Sequence, residues 1–285
     1  MKDGMTLRLL IVEGNSEQGR ALYRVGFGKT AAESYAQTLR ALAPDAACDI
    51  VCAADAGATP PAVLQDYDGV FITGSALNLY DGGPEIERQI ELARAVFAAG
   101  TPFFGSCWGL QVACAAAGGK VFKNPRGREI GVARNIWLTE AGRAHPLLSG
   151  RPPAYDALCS HIDIVELPEG GVVLASNAVA SVQAAEIVHD GGVFWGVQYH
   201  PEHEFAEVAA IIERRAASLA REGLVEDEDA AHAFARDLRG LDEHPRAAWR
   251  LGIGDSVLTR EARALELANF LEARVRPFKS ARGRA

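Results

Sequence analysis

The chain has 285 residues and a formal net charge of −8, with 48% hydrophobic and 23% charged side chains. That mixture belongs to a folded globular chain rather than a disordered one. The acidic balance argues against a general nucleic-acid binder, which carries basic surface. No apolar run approaches the roughly 18 residues of a membrane-spanning helix, and Met1-Lys2-Asp3-Gly4 does not open a secretory leader, so a cytoplasmic protein with no membrane partner is expected.

At this length a folded chain buries roughly three quarters of its unfolded surface. The five cysteines, at positions 48, 52, 107, 114 and 159, are odd in number and irregularly spaced, which argues against a disulfide framework. Acidic and basic side chains balance over residues 206–285, so the net charge falls on the first 205 residues. This difference suggests a catalytic body over residues 1–210 and a helical C-terminal extension over 211–285.

The elements begin with an apolar run, Leu7 to Val12, of the kind buried in a parallel sheet. A polar, glycine-containing loop is expected from Glu13 to Lys29. Thr30 with Glu33 has capping-box spacing and predicts a helix to about Ala43, stopped by Pro44 and Asp45. Strands are predicted over Cys48–Ala53, Gly69–Thr73 and Pro102–Gly105. Pro84 opens a helix ending at Gly100, and a further helix runs from Trp108 to Ala117. Strand alternating with helix defines an α/β sheet. Short β-like runs follow at Val132–Thr139, Ala154–Ser160, Val172–Ser176, Ser181–Val188 and Val193–Gln198. With no long helix between them, they read as mixed or antiparallel strands added to one side. From Glu204 the pattern is helical. Ala264, Leu267, Ala268, Leu271 and Val275 fall on one face, which suits packing on the body or a homo-oligomer contact.

The segment Phe103-Phe104-Gly105-Ser106-Cys107-Trp108-Gly109-Leu110-Gln111 places G-x-C-x-G between a short strand and a helix. This is a nucleophile elbow with Cys in place of Ser. The flanking glycines let strand and helix pack around a strained turn. The helix N-terminus favours negative charge at the nucleophile and offers N–H donors to an oxyanion. Free cysteines are usually buried and structural, which suits Cys48, Cys52, Cys114 and Cys159.

A thiol nucleophile needs a base. In Gln198-Tyr199-His200-Pro201-Glu202, His200 and Glu202 are two apart after a strand. Pro201 keeps His200 extended, so both side chains point the same way. Glu202 can then hold the imidazole in one tautomer, as the third member of a triad does.

These two motifs resemble the signatures of the class I, triad-type glutamine amidotransferases, over about residues 5–210. Arg128-Glu129-Ile130-Gly131 and Ser160-His161-Ile162-Asp163-Ile164-Val165-Glu166-Leu167-Pro168 look closest to the amidotransferase domain of guanosine monophosphate synthetase. The resemblance implies a flavodoxin-like three-layer α/β sandwich with a mostly parallel central sheet. It also implies attack by Cys107 on the side-chain amide of glutamine, with His200 as acid and base and Glu202 orienting it. It puts the oxyanion hole at the backbone N–H groups of Ser75 and Trp108, and substrate binding at Gly74, Gln111, Ser160 and His161. Ser75 stands where the family commonly has glycine, and Ile162 replaces a frequent glycine.

No Ser-Gly-Gly-x-Asp-Ser loop of an ATP-pyrophosphatase domain is present. Ammonia would therefore pass to a separate synthetase subunit, or the chain would resemble the γ-glutamyl peptidases that cleave larger γ-glutamyl compounds. A catalytically silent regulatory module on the same fold is the third reading. No cofactor or metal is expected. His200 and His203 are three apart, but the triad already uses His200. Gly26-Phe27-Gly28-Lys29-Thr30 resembles half a phosphate loop, yet Tyr23 occupies the position of its first glycine.

Overall fold

The computed structural model describes residues 6–283, apart from Ala62, Asp242 and the side chain of Pro245; the expected absence of a leader at residues 1–4 lies outside the described residues. The first half alternates strand and helix: β1 Arg8–Val12, α1 Glu17–Phe27, α2 Ala31–Leu42, β2 Ala47–Val51, β3 Gly69–Ile72, α3 Pro84–Ala99, β4 Phe103–Ser106 and α4 Trp108–Ala116. The second half holds β5 Lys120–Lys123, β6 Glu129–Leu138, α5 Glu140–Ala144, β7 Ala154–His161, β8 Asp163–Glu166, β9 Gly171–Ser176, β10 Ala184–His189 and β11 Gly192–Val197. The chain then turns helical, with α6 Phe205–Arg221, α7 Glu228–Arg239, α8 Arg260–Arg263, α9 Leu265–Phe270, a π-turn at Leu271–Val275 and α10 Arg276–Ala281.

Nine strands form one sheet in the order β2-β1-β3-β4-β11-β10-β9-β6-β7, and β5 pairs with β8 in a separate ribbon. From β2 to β11 neighbouring strands are parallel. From β11 to β7 they are antiparallel. The antiparallel strands thus extend the parallel half on one side.

Alternation along the central strands builds the three layers. Leu9 and Ile11 of β1, Phe71 of β3 and Phe104 of β4 share one core with Tyr35 and Leu39 of α2 and with Leu267, Phe270, Leu271 and Val275. Leu10, Val12, Val70, Ile72 and Phe103 point the other way, into a core with Leu92, Val96 and Leu110 of α3 and α4. The C-terminal helical run is therefore part of a covering layer. The Phe270 ring sits 5.5 Å from Phe71 and 5.3 Å from Phe104. Burial of each such side chain stabilises the fold by about 1.5–3 kcal/mol. The expected boundary at 210/211 falls inside α6, which packs with α7 on β6 and β7 in a third core.

Local signals account for most element ends. Thr30 Oγ1 accepts from the Glu33 N–H and Glu33 accepts from the Thr30 N–H, the capping box expected of α2. Pro84 lies in the first turn of α3 and Gly100 closes it at φ 65°. Helix α1 occupies the expected loop at Glu13–Lys29. It holds two glycines, which lower helix propensity, and buries only Tyr23, leaving Leu22 and Val25 exposed. The half phosphate loop at Gly26–Thr30 spans the C-terminal end of α1, where Gly28 adopts φ 76°, and the N-cap of α2. The first N–H groups of α2 are already taken, Ala32 by the Glu13 carboxylate and Glu33 by Thr30, so they do not cradle an anion as a phosphate loop does.

Candidate active site

Cys107 joins β4 to α4 with φ 51° and ψ −100°, a conformation that costs a non-glycine residue roughly 1–3 kcal/mol and that the surrounding packing must enforce. The two flanking glycines enforce it by close approach. A Cβ on Gly105 would lie 2.7 Å from the Gly109 Cα, and one on Gly109 would lie 2.5 Å from the Ile72 carbonyl oxygen. The Cys107 N–H donates to the Val197 carbonyl at 2.8 Å, tying the elbow to the end of β11. The thiol is 5% exposed.

The chain leaving β11 brings His200 to the elbow. The His200 N–H donates to the Leu158 carbonyl at 2.8 Å, its Nδ1 pairs with Glu202 Oε1 at 2.7 Å, and its ring interacts with the neighbouring Cys107. Burial alone would depress the imidazole. The Glu202 carboxylate and the interaction with Cys107 outweigh it and raise His200 to about 10. Burial alone would raise Glu202, but the facing imidazolium holds it below the ordinary carboxylate value. The site thus holds a charged imidazole between a thiol and a carboxylate.

His203, unremarked in the sequence beyond its spacing from His200, stacks on the His200 ring at 4.1 Å with 2° between planes. Burial, then repulsion from His200, lowers it to about 3, so it is neutral under ordinary conditions. Ligand atoms of His200, Glu202 and His203 lie within 4.8 Å of one another, a donor set that could hold a metal ion. The 2.7 Å His200–Glu202 bond already engages two of the three.

Ser75 and Trp108 supply the two backbone N–H groups expected to meet an oxyanion, and among the described residues neither donates a hydrogen bond. Asn15, which sequence reasoning missed, fixes the loop around Ser75. Its Oδ1 accepts from the Ala76 N–H at 3.0 Å, and its Nδ2 donates to the buried Glu13 carboxylate at 2.9 Å. Its position on the loop after β1, at the carboxyl end of a parallel strand, is the signal that could have found it. Gly74 is required by shape: a Cβ there would lie 2.6 Å from His200 Cε1.

Two small lobes open onto these groups. One, about 40 Å³, is lined by Cys107, Gln111, Ser160, His161, Asp163 and Arg215, among others. The other, about 60 Å³, is lined by His200, Tyr23, Ala31, Ile211 and Arg214. Ser75, Ala76, Ser160 and Arg215 border both. The predicted Gln111, Ser160 and His161 therefore gather at the thiol, while Gly74 borders the His200 lobe. Both ring nitrogens of His161 are engaged, Nε2 with Glu129 at 3.0 Å and Nδ1 with the Asp163 carbonyl at 3.2 Å. Ile162, in place of a common glycine, lines the thiol lobe. A roomier cavity of about 610 Å³ lies against α3, lined by Leu64, Arg88 and Leu92, and contains none of these groups. Burial raises the remaining thiols, Cys48, Cys52 and Cys159, and pushes Cys114 up to about 12.

The fold and this arrangement define a class I amidotransferase-like α/β protein. Among solved structures, a glutamine amidotransferase from Thermotoga maritima has a TM-score of 0.65 at 18% identity, over 94% of this chain and 98% of that one. One from Methylobacillus flagellatus has a TM-score of 0.57 at 20% identity, over 96% of this chain and 95% of that one. The family model for glutamine amidotransferase class-I matches residues 25–216. The chain belongs to the class-I glutamine amidotransferase family. A γ-glutamyl-L-1-hydroxyisopropylamide hydrolase from a Pseudomonas species is 36% identical over 281 residues, covering 95% of this chain and 94% of the relative. A glutamine-hydrolysing GMP synthase from Leifsonia xyli is 35% identical over 160 residues, which is 55% of this chain but only 29% of that enzyme. Among the described residues no helix is long and apolar enough to cross a membrane.

Proposed function

We propose that this chain is a cysteine-dependent γ-glutamyl amide hydrolase. The observation that carries the reading is Cys107 at a strained strand-to-helix turn, beside the hydrogen-bonded pair His200 and Glu202. With its proton passed to His200, the Cys107 sulfur attacks the γ-carbonyl carbon, and the developing oxyanion is met by the N–H groups of Ser75 and Trp108. The carbon–nitrogen bond then breaks, and the His200 imidazolium gives its proton to the leaving nitrogen. The amine departs and leaves a γ-glutamyl thioester on Cys107. His200, now neutral, takes a proton from water as the water oxygen attacks. Collapse of that adduct releases glutamate and restores the sulfur nucleophile. Glu202 fixes the tautomer and offsets the imidazolium charge throughout.

The substrate reading favours the amide of a small amine over glutamine itself. Tyr23, Ala31 and Ile211 give the lobe beside His200, where the leaving nitrogen is protonated, an apolar stretch of wall beside its polar residues Asn15, Arg214 and Arg215. The Pseudomonas relative, named for hydrolysis of such an amide, matches over nearly its whole length. A second reading, glutamine hydrolysis with ammonia passed to a separate synthetase subunit, is supported by the partial match to GMP synthase. Parallel measurement of amine or ammonia release from a γ-glutamyl alkylamide and from glutamine separates them. Turnover of the alkylamide with a kcat/KM at least tenfold above that of glutamine supports the first. Turnover of glutamine alone, rising when a synthetase is added, supports the second. No turnover of either overturns both.

A further inference from the structure

The active-site cleft carries more guanidinium groups than the proposed chemistry uses. Arg128, Arg214 and Arg215 all border it. Arg128 is satisfied: its Nε and one terminal nitrogen donate to the Glu222 carboxylate at 2.9 and 3.2 Å. Arg214 is exposed. Arg215 differs from both. It reaches the cleft from the middle of α6, well beyond the triad in sequence, and borders the thiol lobe and the His200 lobe together. Its Nε is fully enclosed and, among the described residues, has no hydrogen-bond partner. Nor, among them, does any carboxylate come within ion-pair distance of Arg215. Glu222 is taken by Arg128, and the Asp163 carboxylate accepts from the Tyr80 hydroxyl at 3.1 Å.

The Arg215 guanidinium is half-buried at the wall of a reactive cleft, with its enclosed Nε–H unpaired and no carboxylate beside it, a cost that an anion seated against the guanidinium would offset. Burial, then the neighbouring Arg128 and Arg214, pulls the Arg215 guanidinium below its ordinary value, against smaller upward pulls from Glu222 and Cys107. Every γ-glutamyl compound carries such an anion. Its α-carboxylate sits at the far end of a short aliphatic chain from the carbonyl that Cys107 attacks, and a planar guanidinium pairs with a carboxylate through two parallel hydrogen bonds.

We propose that Arg215 is a specificity-determining residue whose guanidinium binds the α-carboxylate of the γ-glutamyl substrate in the lobe shared with Cys107. The assignment rests on the hydrolase reading for the identity of the substrate. It accounts for why selection for a γ-glutamyl group resides partly on a helix outside the two sequence motifs. Arg215→Met keeps the aliphatic stem and removes the charge, and Arg215→Lys keeps the charge and removes the fork.

The test compares rates of Cys107 alkylation by two reagents, followed by intact-protein mass spectrometry. One is the chloroketone analogue of glutamine, and the other is the same chloroketone lacking the α-carboxylate. In the wild type the carboxylate-bearing reagent is expected to react faster. In Arg215→Met that preference should fall by about tenfold to a hundredfold, the worth of a charge-assisted hydrogen-bond pair. Arg215→Lys should retain part of it, and the carboxylate-free reagent should label all three alike. Equal loss towards both reagents, or an unchanged preference in Arg215→Met, overturns the proposal. Steady-state assays separate it from the hydrolase reading. Turnover of γ-glutamyl amides with an unchanged preference removes Arg215 alone. A lost preference in a protein that turns over no γ-glutamyl amide keeps the carboxylate site and removes the hydrolase.

Discussion

The Tyr199 hydroxyl donates to Glu266 Oε1 at 2.9 Å, tying the residue before His200 to the C-terminal helical run. The same carboxylate accepts two hydrogen bonds from Arg151, at 2.7 and 2.9 Å, and Tyr155 pairs with Tyr199 at 2.9 Å. Burial alone would lower the Arg151 guanidinium, but Glu266 more than offsets it and raises it. Burial, then Glu266, raises the Tyr199 phenol well above its ordinary value. The helices that follow the family's motifs therefore brace the strand end that presents His200.

Removing Glu266 leaves the buried Arg151 charge without its partner. Glu266→Gln is expected to destabilise the fold by about 3–5 kcal/mol, the cost of breaking a buried ion pair from one side. Tyr199→Phe, which removes only one hydrogen bond, is expected to cost about 1 kcal/mol. Denaturant unfolding followed by circular dichroism measures both. Equal, small losses would mean that Glu266 is not the hub of this contact.

The charge state of His200 sets a pH dependence with a definite sign. Its value of about 10 in the fold lies above the ordinary 6.5. The ion pair with Glu202 therefore stabilises the fold fully below pH 6.5, and that contribution is lost as the pH rises through about 10. The same proton leaves with the amine, so acylation should also fall along that basic limb. Single-turnover rates against pH, with a parallel unfolding series for wild type and His200→Asn, check both. A wild type whose extra stability appears only as the pH rises would contradict the charged imidazole.

Glu202 acts on the ring rather than on the substrate. Glu202→Gln should leave the substrate KM within a few-fold and lower kcat by about 10²–10⁴, the range for losing the orienting carboxylate of a triad. Steady-state kinetics decide it. A mainly KM effect would place Glu202 in substrate binding instead.

Gly74 tests the shape of the site without touching its chemistry. A methyl group there would lie 2.6 Å from His200 Cε1, so the imidazole must shift. Gly74→Ala is expected to lower kcat about a hundredfold, the scale for an ångström of misplacement, while the protein stays folded. A fully active Gly74→Ala protein would mean that the ring has slack to move.

The elbow was legible because its causes are local: Gly105, Cys107 and Gly109 are adjacent in sequence, and the glycines meet each other or the next strand. His200 and Glu202 were legible for a similar reason, since two-residue spacing in extended backbone sets side chains together. Helix α1 was not, because it buries a single tyrosine and carries two glycines, which weaken the local helix signal. The β5–β8 ribbon was hidden because each strand is only four residues long and one, Asp163–Glu166, lies within a stretch read for its motif. Asn15, Arg215 and Glu266 owe their positions to contacts across long sequence separations. Nothing near Asn15 in sequence announces that it will hold the Ala76 N–H, nor near Glu266 that it will meet Tyr199.

The central claim is that a γ-glutamyl group passes through Cys107. Acid-quenched intact-protein mass spectrometry after mixing with a γ-glutamyl alkylamide tests it most directly. The account predicts a γ-glutamyl adduct that maps to the peptide containing Cys107, appears before steady-state amine release and is absent from Cys107→Ser. Turnover without any adduct, undiminished in Cys107→Ser, would contradict it.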